Sequence, residues 1–164
     1  MGHVGFSACG RGCGENGSRR KRKKRVEEPL TEELLEELLD ASDPGAFARQ
    51  HHITSRSLPQ YLDDLLVEKG LKRADVVRRA GLNETFGYQI FVGQRNPSRN
   101  KVLQIAFAMG CTLREANRML QAAGANELYC KNRRDAIIIF ALEKGYALAE
   151  ADEALYRFGE DTIC

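Results

Sequence analysis

The 164-residue chain has no tryptophan, four prolines and three histidines. So few prolines, set among apolar residues that recur at helical spacing, argue against an all-β protein. No run of about 18 apolar residues occurs, which excludes a membrane-spanning helix. The dense basic stretch Arg19–Arg25 is followed by charged residues, so a secretory signal is not expected. The five cysteines, Cys9, Cys13, Cys111, Cys130 and Cys164, are odd in number and scattered. Without a secretory signal they are expected to be reduced thiols in a cytoplasm. Cys9 and Cys13, with His3 nearby, make at most half a zinc site, and no second Cys/His pair stands at ligand spacing. His3, His51 and His52 lie in polar surroundings, and no nucleophile–base or paired-carboxylate constellation is present. Neither an enzyme, a metal nor a cofactor is expected.

Lys and Arg number 25 against 23 Asp and Glu, and this near balance hides a partition. Residues 1–57 carry ten basic and nine acidic groups, residues 58–123 ten and six, and residues 124–164 five and eight. A basic centre beside an acidic C-terminal part points to a polyanionic partner for the centre. Residues 1–29, rich in glycine and ending in the basic run, read as a disordered tail. The run suits a nucleic-acid arm, a nuclear import signal or a plain unstructured extension. In residues 30–56, Thr31 caps a short acidic helix whose Leu34, Leu35, Leu38 and Leu39 form one stripe for docking on the main domain or on a partner. Asp43-Pro44-Gly45 is read as its stop, with 43–56 a polar connector.

After Ser57 the chain reads as successive helices, each followed by a glycine: Gly70, Gly81, Gly93, Gly110, Gly124, Gly145 and Gly159. Ser57-x-x-Gln60 and Thr112-x-x-Glu115 are capping boxes, and Ser98 and Asn132 are further cap candidates. Apolar faces follow at helical spacing, and the segment from Val102 to Met109 is apolar enough to be the buried centre. Five helices in residues 57–124 make a compact all-α domain, and residues 125–164 add a two-helix extension. Ile137-Ile-Ile139-Phe140 cannot all face one side of a helix, so that helix is expected to be covered from two directions, by its neighbours or along a dimer seam.

Leu71 to Pro97 carries the functional signal. A helix of about eight residues, a Gly81-Leu82-Asn83 turn and a second helix of about nine make a helix-turn-helix. Gly81 frees the backbone, Leu82 wedges into the core, Asn83 caps the second helix, and Val77 is small where the helices cross. The twelve-residue interval from Gly81 to Gly93, and the loop Gly93-Gln-Arg95-Asn-Pro97, resemble the lambda-repressor-like (Cro/C1-type, XRE) helix-turn-helix family over residues 58–123. The segment after Leu128 is similar to a C-terminal extension on some small bacterial regulators of that family. The resemblance implies binding of double-stranded DNA, with the second helix in the major groove and the loop on phosphates. By position, Arg73 would reach phosphate or base, and Glu84, Thr85, Tyr88 and Gln89 would face the groove. Gln89 suits adenine and Thr85 a thymine methyl or a phosphate. Arg95, Asn96 and Arg99 would fix phosphates.

The chain departs from the family pattern at two points. The reading helix has no Lys or Arg and bears Glu84, and Gly87 replaces an inward apolar residue at a cost of about 1 kcal/mol in helix propensity. The leading expectation is a cytoplasmic transcriptional regulator, with a homodimer suited to paired half-sites. The alternative is a protein-interaction module of the antitoxin or adaptor type on the same helical scaffold.

Overall fold

The computed structural model describes residues 31–50 and 57–164, and every regular element among them is an α-helix. The basic tail lies outside the described residues. The chain divides into two units, Met1–His51 and His52–Cys164. No helix among the described residues is long and apolar enough to cross a membrane.

In the first unit, α1 (Thr31–Asp40) is followed by α2 (Pro44–Gln50). The second helix corrects the expectation of a polar connector over 43–56. Asp43 accepts the N–H groups of Gly45 at 2.9 Å and Ala46 at 3.0 Å, and Pro44 fills the first helical position, where no N–H is needed. The Asp-Pro pair that closes one helix therefore opens the next, and Phe47 is buried. Leu35, Leu38 and Leu39 of α1 are exposed.

The second unit runs α3 (Leu58–Lys69), α4 (Arg73–Arg79), α5 (Glu84–Phe91), α6 (Arg99–Ala108), α7 (Leu113–Ala122), α8 (Arg133–Glu143) and α9 (Leu148–Arg157). All seven helix-ending glycines have positive φ. At Gly70, with φ of 65°, the chain turns so that the Leu71 N–H reaches back to the Leu66 carbonyl at 2.9 Å. Of the two expected capping boxes, that of Thr112 is reciprocal, with bonds of 2.8 and 3.3 Å to Glu115, whereas at Ser57 only the backbone N–H bonds, to Gln60 at 3.4 Å. As expected, α6 is the centre, with every residue from Val102 to Phe107 buried. Helices α4, α7 and α9 pack on it.

Residues 125–164 do not stand apart from this core. Leu128, Ile138, Leu142, Leu155 and Ile163 belong to the same buried cluster as Leu62, Val76 and Leu103. Of the apolar run in α8, Ile138 is fully buried and Ile137 and Ile139 are half-buried, but Phe140 is 53% exposed, so the expected cover on two sides is incomplete.

The hairpins α6–α7 and α8–α9 are built alike, 35 residues apart in sequence: Arg99/Arg134, Gly110/Gly145, Leu113/Leu148, Glu115/Glu150, Leu120/Leu155 and Gly124/Gly159 correspond. Their internal bonds correspond too. Arg99 donates to the Asn126 and Glu127 carbonyls at 3.0 and 3.2 Å, and Arg134 donates to those of Asp161 and Thr162 at 2.7 and 3.1 Å. Asn117 accepts the Leu128 N–H at 3.0 Å and Asp152 accepts that of Ile163 at 2.6 Å. Between the hairpins the contacts are reciprocal: Arg99 meets Asp135 at 2.9 Å and Arg134 meets Asn100 at 3.1 Å. Reciprocity of this kind marks a two-fold relation between the two copies.

Candidate nucleic-acid interface

Helix α4 ends at Gly81, whose φ of 65° lets the Leu82 N–H return to the Val77 carbonyl at 3.1 Å. Leu82 is buried, and the Asn83 side chain accepts the N–H groups of Thr85 at 3.0 Å and Phe86 at 3.3 Å, which starts α5. The two helices cross where Gly87 meets Val77. A Cβ on residue 87 would lie 2.5 Å from Val77 Cγ1, so only glycine allows this approach. Gly87 is thus part of the packing between α4 and α5.

Gly87, Ile90 and Phe91 close the inner side of α5, whereas Glu84 and Thr85 are exposed, Tyr88 is 54% exposed and Gln89 is half-buried. The Arg73 guanidinium lies 5.7 Å from the Tyr88 ring centroid and 5.3 Å from that of Phe91, and it pairs with Asp63 at 3.3 Å. Its charge is therefore partly engaged, and it backs the exposed aromatic ring.

The loop after α5 is folded onto the helix end. Gln94 and Arg95 both donate their N–H groups to the Gln89 carbonyl, at 2.8 and 3.2 Å, and Pro97 is buried. Arg95 is exposed and has no ion-pair partner among the described residues.

No family model, curated protein or solved structure matches this chain. The reading of the surface therefore rests on its own chemistry. Glu84, Thr85, Tyr88 and Gln89 stand on one helix, Arg95 follows in the next loop, and Arg73 touches Tyr88. Asn96 and Arg99 are held elsewhere. Asn96 donates to the Ala123 carbonyl at 3.3 Å. Arg99 is bound to two carbonyls and to the buried Asp135, which also accepts the Tyr129 N–H at 3.1 Å. Their visible work is to join α6 to the chain that follows α7. The sequence signal for that role is the recurrence of Arg99 as Arg134.

An open depression of about 500 Å³ lies over this region, lined in part by Arg99, Arg133 and Arg134. All three guanidiniums are bonded to carbonyls or carboxylates, so it offers no unpaired cation to an anion. No group of three or more His, Cys, Asp or Glu side chains that could hold a metal occurs among the described residues. Burial pushes the Cys111 thiol up to about 12, with the nearby Glu115 charge adding to the effect, which leaves it protonated and inert.

Proposed function

We propose that α3–α7 form a five-helix, lambda-repressor-like helix-turn-helix module, and that the chain is a cytoplasmic DNA-binding transcriptional regulator of XRE type. The observation that carries this reading is the open outer edge of α5. Tyr88 is 54% exposed and Gln89 half-exposed on a helix whose other side is closed by Gly87, Ile90 and Phe91. In the major groove, Gln89 offers the donor–acceptor pair that adenine requires, Thr85 a methyl for thymine, and Glu84 an acceptor for the cytosine amine. Arg95, exposed and without an ion-pair partner among the described residues, is the phosphate cation that fixes orientation. Arg73 holds Tyr88 in place, and Asn96 and Arg99 support the loop from behind. No bond is made or broken; occupancy of a promoter excludes or recruits polymerase.

The test is fluorescence anisotropy on duplexes selected by the wild-type protein from fragmented genomic DNA. Arg95→Ala is expected to weaken binding to all sequences alike and to lower the slope of log affinity against log salt by about one. Gln89→Ala is expected to lose about 1–3 kcal/mol of discrimination at one A·T pair. Failure of the wild type to bind any fragment above the non-specific level at moderate salt would overturn the reading. A second reading, an interaction module of antitoxin or adaptor type, is favoured by one observation: α5 carries Glu84 and no Lys or Arg. It requires a stoichiometric protein partner in nucleic-acid-free preparations.

A further inference from the structure

The two matched hairpins differ in what covers them. In α6–α7, Ile105, Met109 and Cys111 are buried, with α4 packed on α6 and α3 on α7. Lys69, at the end of α3, completes that cover by pairing with Glu115 at 2.9 Å and donating to the Gly110 carbonyl at 3.2 Å. The corresponding residues of α8–α9 are Phe140, Lys144, Tyr146 and Glu150. Here the face is open: Phe140 is 53% and Tyr146 37% exposed, stacked edge to face at 6.0 Å.

Two features of this face identify its occupant. Glu150, the counterpart of Glu115, bonds only the Ala147 N–H, at 2.7 Å, and no cation pairs with it among the described residues. Lys144 replaces the buried Met109. It lies 5.6 Å from the Phe140 ring centroid, and no carboxylate pairs with it among the described residues. The occupant must therefore bring both an anion and a cation to an aromatic centre. A copy of the same face, turned by a two-fold axis, brings both in the right relation.

We propose that the exposed α8–α9 face is a self-association surface, on which a second copy of this chain docks with its Phe140 and Tyr146 against ours, and each Lys144 meets the Glu150 of the other copy. The pairing is independent of the duplex-reading proposal, because it is made without DNA and leaves α5 untouched. It adds to that proposal by supplying a two-fold dimer.

Sedimentation equilibrium of the full-length protein in the absence of nucleic acid tests it, with circular dichroism melts to check that each variant folds. The wild type is expected to be a dimer at about 100 µM. Phe140→Ser, at an exposed position, should raise the dissociation constant about a hundredfold, since each substitution counts twice across a two-fold axis. Lys144→Glu and Glu150→Lys should each raise it severalfold, about three- to tenfold, and the double reversal should recover most of the loss. A monomeric wild type would overturn the proposal and make the face a site for a different protein. So would a dimer indifferent to Phe140→Ser, or a double reversal no better than the single ones.

Discussion

Gly87 illustrates how one residue reads differently alone and in its contacts. By intrinsic propensity, glycine inside a helix costs about 1 kcal/mol relative to alanine, so Gly87→Ala should stabilise α5. Yet the added carbon would stand 2.5 and 2.7 Å from the two Val77 methyl carbons, and Val77 is buried and β-branched, hence stiff about χ1. Gly87→Ala is therefore expected to destabilise the protein by about 1–3 kcal/mol, read from urea denaturation. Combining it with Val77→Ala should cost less than the two single changes added together. Glu115 supplies a second case. Burial works to raise its pKa, but the Thr112 N–H at 2.8 Å and the Lys69 ammonium at 2.9 Å hold the carboxyl below its ordinary value. The unfolded chain then binds the proton more readily, so this contribution to stability is present at neutral pH and is lost as pH falls through the carboxylate range. Glu115→Gln is expected to flatten the acid side of the stability curve between about pH 5 and 3, followed by urea midpoints at each pH. The Thr112-x-x-Glu115 half of this arrangement is legible in the sequence, because the residues are one helical turn apart. Lys69 is not legible, because only the packing of α3 on α7 brings it there.

Elements whose limits are set by neighbours in sequence are the ones that sequence reading places well. Each left-handed glycine, the Asn83 and Asn132 caps and the buried α6 follow from local signals, and the structure holds all of them. Helix α2 escapes because Asp43-Pro44 serves as both a stop and a start, and reading only the stop leaves a loop. Arg99 escapes for a different reason. Within its own loop it resembles a phosphate ligand, and the groups it binds lie on Asn126, Glu127 and Asp135, well beyond any local window. The 35-residue recurrence is visible in the letters, yet the identical pairs are scattered among many unrelated ones, so it stands out when the bonds of Arg99 and Arg134 are set side by side. If Arg99 is a clamp between hairpins, its loss leaves the buried Asp135 carboxylate without a cation. Arg99→Met is expected to cost about 2–4 kcal/mol in denaturant titrations, and Asp135→Asn in the same chain should return part of it by removing the stranded charge.

Taken as a whole molecule, the unit His52–Cys164 shares one buried core across residue 124, where the sequence suggests a boundary. The tail that follows α9 is bound back to the centre: Gln104, itself buried, donates to the Ile163 carbonyl at 3.0 Å, and Ile163 is 2% exposed. Leu128, Ile138, Leu142, Leu155 and Ile163 fill the shared core from the second half. Burying an aliphatic side chain of this size contributes about 1.5–3 kcal/mol. Five of them therefore approach or exceed the net stability of about 5–15 kcal/mol that a domain retains. The loss would fall hardest on α6, where Asn100 and Gln104 would also lose their carbonyl partners in the tail. The full chain is accordingly expected to unfold residues 57–164 in one cooperative transition, and a chain ending at residue 124 to show no sharp melt by circular dichroism or calorimetry. A truncated chain that melts sharply, and binds duplexes as the full chain does, would mean that the α8–α9 hairpin is an appendage rather than half of the core.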